Sequence, residues 1–341
     1  MTIDRLEVSV KGKWKTVPAL RAGDNYILTK GKYLRVALIH DEEWLDSELA
    51  EPDFCLRLLR EARNEYGTTD IFTFSHKVPQ TVPRYSYPFE LESIAAAPTS
   101  NFQRWWENLP QETRKNVRRA QKRGVLVSLR ELDDDLIDGI VSVNNDSDMR
   151  QGLPNVHFGK SFEQVKKDQS SFLDRSQFIC AHAEGELIGF MKIVYRGNIA
   201  SILQLLPKAS HSDKRPANAL IAKAIEVCEA RGISHLTYGM YNYGNKRDSP
   251  LREFKIRNGF EEIVVPRYYI PLTTWGALCI QCKCHLGLHG ILPSNLISLV
   301  VRSRAKLYSF KQSISRCSST AERPNSNRQM ECSTPPAGSN H

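Results

Sequence analysis

The chain has no uncharged apolar run of about 18 residues, the length a membrane-spanning helix needs. Its opening, Met1-Thr2-Ile3-Asp4-Arg5, lacks the apolar centre of a secretory signal. Eight cysteines are present, but most are dispersed and give no disulfide framework, which points to a reducing, cytoplasmic setting. Metal-like chemistry is nearly absent as well. Cys279, Cys282, Cys284, His285 and His289 follow a C-x-x-C-x-C-H-x-x-x-H spacing. A second paired knuckle is missing, so the default reading is small apolar filling and no metal is expected. Excess acid is lacking too: the net charge is +9, which favours polyanions, phosphate-bearing molecules or an anionic membrane surface without choosing among them.

What is present is an ordinary globular composition, 41% hydrophobic and 25% charged over 341 residues, enough for a substantial core. Residues 1–100 read as mixed α/β, with strand character at Tyr33–His40 and Asp70–Phe74 and helical spacing over Pro52–Tyr66. The proline-rich Val78–Pro88 reads as an irregular connection. Asn101 suits a helix cap and Pro110 the opening of a second, basic helix that Gly124 ends. Asp133–Asn144 reads as a further helix with acids in its first turn. From Gln177 the pattern becomes three meandering strands (Gln177–Ala183, Glu186–Tyr195, Ile199–Leu206), a helix (Pro216–Arg231) and a strand (Ile233–Tyr238). A short helix (Ser249–Asn258) and a last strand (Glu262–Ile270) follow. This predicts an α/β (α+β) fold, a mixed sheet flanked by helices. The expected divisions are an N-terminal α/β extension (1–100), a core (101–274), a basic amphipathic helical segment (275–311) and a disordered tail (312–341).

The β-β-β-α-β-α-β order resembles the GNAT acyltransferase fold. Phe102–Val127 (FQRWWENLPQETRKNVRRAQKRGVLV), Lys214–Tyr238 (KRPANALIAKAIEVCEARGISHLTY), Leu251–Phe260 (LREFKIRNGF) and Pro266-Arg267-Tyr268-Tyr269 resemble its Fem-type branch, which includes peptidoglycan aminoacyltransferases and acetyltransferase-like relatives. In GNAT enzymes a glycine-rich turn before the central helix cradles the pyrophosphate of acyl-CoA, because a helix N-terminus offers unpaired N–H groups and a favourable dipole. The matching run here, Ser212–Ala217, has no glycine. Arg215 stands at the first glycine position, and Pro216 removes a donor. The resemblance therefore implies donor binding by Lys214, Arg215, Ala217, Asn218 and Phe254, with phosphate taken partly by side chains.

Where many acetyltransferases carry a tyrosine four residues before Gly-Phe, this chain has Lys255 before Gly259-Phe260. The Phe254-Lys255 pair resembles the Fem-type enzymes, in which the ammonium is implied to stabilise charge developing as the donor ester is attacked. Tyr238, Tyr241 and Tyr243 follow the strand beside the expected cleft and are candidates for donating a proton or orienting the acceptor. Asn218 and His157 are weaker candidates. Arg114, Lys115, Arg118, Arg119, Lys122 and Arg123 form a double basic row at helical spacing that suits a polyanion. Trp105 and Trp106 read as core packing.

The resulting expectation is an acyltransferase moving an acyl group from acyl-CoA to an amine or hydroxyl of a cell-envelope or polysaccharide precursor. Attack is direct, in a ternary complex without a covalent enzyme intermediate. The aminoacyl-tRNA-dependent reaction is the alternative, and a non-catalytic RNA- or membrane-binding module is the second. Expected partners are the donor, a small or lipid-linked acceptor, tRNA under the alternative, and the inner face of an anionic membrane.

Overall fold

A computed structural model describes residues 2–10, 13–40, 48–49, 51–150, 153–242 and 249–286. Strands β1 (Ile3–Val10), β2 (Lys13–Ala22), β3 (Asn25–Lys30) and β4 (Val36–Ile39) run antiparallel as a meander. Helix α1 (Pro52–Glu61) and the short α2 (Arg63–Tyr66) cross back, and β5 (Ile71–Ser75) lies parallel to β4. After β6 (Phe89–Pro98) come α3 (Phe102–Asn108), α4 (Gln111–Lys122), β7 (Leu126–Arg130) and α5 (Asp134–Asn145). A small hairpin, β8 (Met149–Arg150) with β9 (Leu153–Pro154), precedes α6 (Phe162–Gln169).

The second meander is β10 (Ser176–Ala183), β11 (Glu186–Arg196) and β12 (Ile199–Pro207). Helix α7 (Pro216–Ala230) crosses back to β13 (His235–Met240), which is parallel to β12. Helix α8 (Pro250–Arg257), β14 (Glu261–Pro271) and α9 (Thr274–Gln281) complete the described chain. The expected mixed sheet with flanking helices is present, and each expected element from Gln177 to Ile270 is found within a few residues. The Asn101 cap forms as read, its side chain accepting from the Arg104 N–H at 2.7 Å; Asp133, read as part of the first turn, is itself a cap and accepts from the Leu136 N–H at 2.7 Å. Of residues 275–341, only those up to 286 are described, so most of the expected basic segment and the whole expected tail lie outside the described residues.

Twelve strands form one sheet in the order β1-β2-β3-β4-β5-β14-β6-β13-β12-β11-β10-β7. Each half of the chain therefore contains an antiparallel meander, a crossover helix and a parallel strand. At the middle the halves exchange strands. β6, from the first half, sits between β13 and β14, while β14, from the second, sits beside β5. Sequence reading assigned neither β1–β3 nor β6. One face of the second half is covered by α3, α4 and α7, with Trp105, Val117, Ala120, Leu220 and Ile225 packed on Ile179, Met191 and Leu236. The other face is covered by α5 and α6 over Phe178, Phe190 and Leu206.

The last helix is seated by backbone contact. A Cβ at Gly276 would lie 2.1 Å from the Asp70 carbonyl oxygen, which already accepts the Leu272 N–H at 2.8 Å. Gly276→Ala is expected to push α9 off the sheet and cost about 1–3 kcal/mol, the range for overpacking. Denaturant unfolding measures this, and an unchanged midpoint contradicts the tight seat.

Candidate active site

The site begins where two parallel strands part. β12 and β13 pair only from Ile199 to Ser201 against His235 to Thr237. Buried Ser201 and Thr237 close the last pair with a hydroxyl–hydroxyl hydrogen bond of 2.8 Å. Beyond it, β12 follows β11 through a bulge: Ile202 pairs with Ile193 and Gln204 with Lys192, leaving Leu203 unpaired. On the other side β13 shifts register against β6 between Thr237 and Met240. The result is a wedge lined by backbone that no strand pairing uses, a place where an extended acyl donor can bond.

Helix α7 points its N-terminus at this region. Its cap residue, Arg215, sits in the left-handed region (φ 56°, ψ 42°), a conformation that favours glycine and is consistent with its match to a glycine position. Pro216 supplies no N–H, and those of Ala217 and Asn218 have no carbonyl within the helix to bond. The loop leading in is braced from several sides. Asp146 accepts from the Ala209 N–H at 2.5 Å and the Ser210 N–H at 3.3 Å, and buried Lys208 bonds Ser142 Oγ at 2.6 Å and pairs with Glu186. The predicted phosphate ligand Lys214 is already engaged, its Nζ 2.9 Å from Glu184 Oε1, and the neighbouring Asp213 pairs with Arg123. Arg215 is exposed and forms no ion pair among the described residues.

Lys255 is the most unusual side chain here. Carried on α8, it is completely buried, and its Nζ donates to the Met240 carbonyl oxygen at 2.7 Å. The ammonium also lies 4.8 Å from the centre of the Tyr238 ring, where the aromatic face favours a cation. Burial pulls its pKa down to about 8. Helix α8 is fixed by polar ties: Trp105 Nε1 donates to the Asn258 carbonyl at 3.3 Å and Thr113 Oγ1 to the Arg257 carbonyl at 2.8 Å. Asn218 Nδ2 donates to Asn258 Oδ1 at 2.9 Å, linking the first turn of α7 to the end of α8. Asn218 thus joins the two helices, and half-buried Phe254 packs on the core and bonds Asn258 through its carbonyl.

Tyr238 and Tyr241 both come close to Lys255 or its carrier helix. Tyr238 lies beneath the ammonium and packs on Phe260 at 5.7 Å, while the buried Tyr241 ring lies under Arg252 at 5.0 Å. Tyr243 lies outside the described residues. His157 is in a turn after β9, away from these contacts. On α4, Thr113, Val117 and Ala120 face the core. Lys115, Arg118, Arg119 and Lys122 are exposed and Arg114 half-buried, none with an ion pair among the described residues; Arg118 lies 5.5 Å over Trp106. α4 packs against α7, so the basic row adjoins the helix whose N-terminus faces the wedge. Among the cysteine cluster, Cys279 is buried, Cys282 exposed and Cys284 intermediate; His285 packs edge-on against Tyr269 at 4.4 Å, and His289 lies outside the described residues.

Sequence reasoning missed the polar residues on the opposite face of the same wedge. Arg267 Nε lies 2.7 Å from Glu92 Oε1, with the arginine only 7% exposed. The signal was available: Ile263, Val265 and Arg267 share one face of a strand, and an arginine there demands a buried partner.

Residues 109–247 match the model of the acetyltransferase (GNAT) domain family. Among solved structures, the chain is similar to FemX, with a TM-score of 0.51 and 10% identity over 78% of this chain and 87% of that one. It is also similar to L-PGS from Bacillus licheniformis, with a TM-score of 0.49 and 16% identity over 79% and 86%. A third is the PaiA N-acetyltransferase from Thermoplasma acidophilum in complex with coenzyme A, with a TM-score of 0.30 and 19% identity over 41% and 98%. No curated protein matches this chain closely enough to count as a relative. The match over residues 109–247 gives this part of the chain an acetyltransferase (GNAT) domain, the domain of an acyltransferase, and the likeness to FemX is one of fold. Among the described residues no helix is long and apolar enough to cross a membrane.

Proposed function

We propose that this chain transfers an acyl group from acyl-CoA to an amine or hydroxyl of a cell-envelope or polysaccharide precursor. The single observation that carries the reading is the buried Lys255 ammonium, held on the Met240 carbonyl where β12 and β13 part. The thioester lies along the open edge of β12, its phosphates at the Ala217 and Asn218 N–H groups and Arg215. For an amine acceptor, the nitrogen lone pair forms the new C–N bond. The C–S bond breaks with its electron pair on sulfur, and the nitrogen's proton ends on the thiolate or water. Lys255 opposes the negative charge that builds on oxygen or sulfur; that charge is absent in the ground state, so the interaction accelerates the step. Tyr238 and Tyr241 hold the ammonium and its helix in place. Work on a lipid-linked acceptor would bring the chain to the inner face of the membrane.

The aminoacyl-tRNA reading is favoured by the glycine-free run before α7, by the Fem-like Phe254-Lys255 pair and by the exposed basic row on α4 beside α7. Reversing Arg118 and Arg119 to glutamate separates the two. If acyl-CoA is the donor, its KM is expected to stay within ~2-fold, as for exposed surface substitutions. If charged tRNA is the donor, its binding falls by at least ~10-fold, with a shallower salt dependence than that of the unsubstituted chain. Loss of acetyl-CoA turnover in that variant, with tRNA binding unchanged, contradicts both assignments of the basic row.

A further inference from the structure

The face of the sheet opposite α7 holds a cavity of about 590 Å³. Its floor is Ser201 and Thr237, the last pair before β12 and β13 separate, with Met240 three residues further along β13. The Met240 carbonyl that receives Lys255 thus belongs to a residue shared by the two sides of the site. The walls come from both halves of the chain: His76 and Lys77 after β5, Glu92 on β6, Arg196 at the β11–β12 turn and Arg267 on β14, with Glu48 alongside. A volume of this size suits a small molecule rather than a polymer.

The lining carries both signs of charge. Glu92 is held by Arg267, whose Nη atoms lie 3.5 Å from Thr73 Oγ1 and Ser75 Oγ. With Arg267 fixing one carboxylate oxygen and Glu92 still 20% exposed, the carboxylate keeps capacity for a ligand. His76 is 1% exposed, and its Nε2 lies 3.3 Å from the Tyr268 hydroxyl and 3.7 Å from Glu48 Oε1. Among the described residues its Nδ1 has no hydrogen-bond partner, and a buried polar atom of that kind is costly until a ligand or water satisfies it. Ile94, two residues from Glu92 on the same face of β6, pairs with Met240, so this carboxylate lies close to the wedge. Arg196, in contrast, is exposed at the turn. An acceptor with only positive charge would face three cations, and one with only negative charge would face two carboxylates.

We propose that this cavity is the acceptor site and that it takes a small molecule carrying its nucleophilic amine together with an anionic group. The amine lies toward Glu92 and the floor at Met240, and the anion toward Arg196 and Lys77. This assignment of substrate class rests on the acyl-transfer reading above, but it is tested without any donor. The full chain is titrated calorimetrically with O-phosphoethanolamine, ethanolamine and inorganic phosphate in turn. Phosphoethanolamine is expected to bind at least ~10-fold more tightly than either of the other two. Arg196→Glu and Asn198→Trp, both at the exposed turn and both checked for an unchanged melting temperature, are each expected to weaken it by ~10-fold or more. Two sources share this chemistry, and both support the proposal: vesicles of phosphatidylethanolamine that compete with the probe assign it to a lipid headgroup, and vesicles that do not assign it to a soluble acceptor. Equal affinity for the three probes, no binding of phosphoethanolamine, or binding insensitive to both substitutions overturns the proposal. None of those results touches the assignment of Lys255, which is scored on thioester turnover.

Discussion

Lys255→Met is expected to lower kcat by about 10²–10³, the loss typical when a preorganised charge stabiliser is removed. The same variant is expected to melt no lower than the original chain at pH 7. Burial disfavours the charged form of Lys255, pulling its pKa to about 8 from the ordinary 10.5. In the unfolded chain lysine keeps its proton up to its ordinary pKa. Between about 8 and 10.5 the unfolded state therefore binds more protons, and the Lys255 contribution to stability rises with pH across that window. Below it, the folded chain carries the full cost of a buried ammonium, a cost methionine removes. The stability advantage of Lys255→Met is thus largest near neutrality and shrinks as pH rises through the window. Turnover runs the other way: if the ammonium is the working form, kcat falls as pH rises through about 8. A kcat that rises through that pH instead makes Lys255 a base and sinks the charge-stabilising role. A variant that melts lower at pH 7 and still turns over normally makes Lys255 purely structural.

Gly259→Ala is the second substitution with a large expected effect. Gly259 lies just past the end of α8 at φ 78°, in the left-handed region. A Cβ there would come within 2.6 Å of Trp105 Nε1 and 3.1 Å of Leu109 Cδ2. The left-handed backbone costs a non-glycine residue about 1–2 kcal/mol, and overpacking against a buried ring adds to it. Together these predict a loss of about 2–4 kcal/mol, read as a lower denaturant midpoint at unchanged slope. Because Trp105 bonds the Asn258 carbonyl, the strain also reaches the helix that carries Lys255, and kcat is expected to fall with stability. Adding Trp105→Leu to Gly259→Ala is expected to recover part of the steric cost but none of the backbone cost. Additive effects of the two substitutions contradict the contact described.

The parts of this fold legible in the sequence are those whose signals are local. The second meander, α7, α8 and β14 follow from alternation, 3.6-residue spacing and terminal glycines, and the cap at Asn101 from its side chain. β6 escaped because Ala95, Ala96 and Ala97 are buried on both faces with little apolar bulk, while Glu90 and Glu92 precede them. Its place between two distant strands leaves no local trace. The candidate site divides in the same way. Lys255 was visible only through the Phe-Lys resemblance, and nothing in its neighbourhood announced complete burial. Lys214 looked like a phosphate ligand because its partner, Glu184, belongs to a turn thirty residues earlier. The cavity was invisible because its charged residues come from five separate stretches of chain that only the sheet assembles.

The exchanged strands also dictate an order of events during synthesis. β6 leaves the ribosome early, yet its sheet neighbours are made much later: Ala97 pairs with Leu236, and Ala96 with Glu261. Until then both of its edges are open, the condition in which a strand recruits a foreign partner. Its composition suits that wait, since three alanines offer little for another chain to grip and two glutamates repel stacking copies. Closing so long a loop comes late and slowly. The nascent first half must therefore persist as an incomplete sheet, and the candidate site comes into existence only when β13 and β14 arrive on either side of β6.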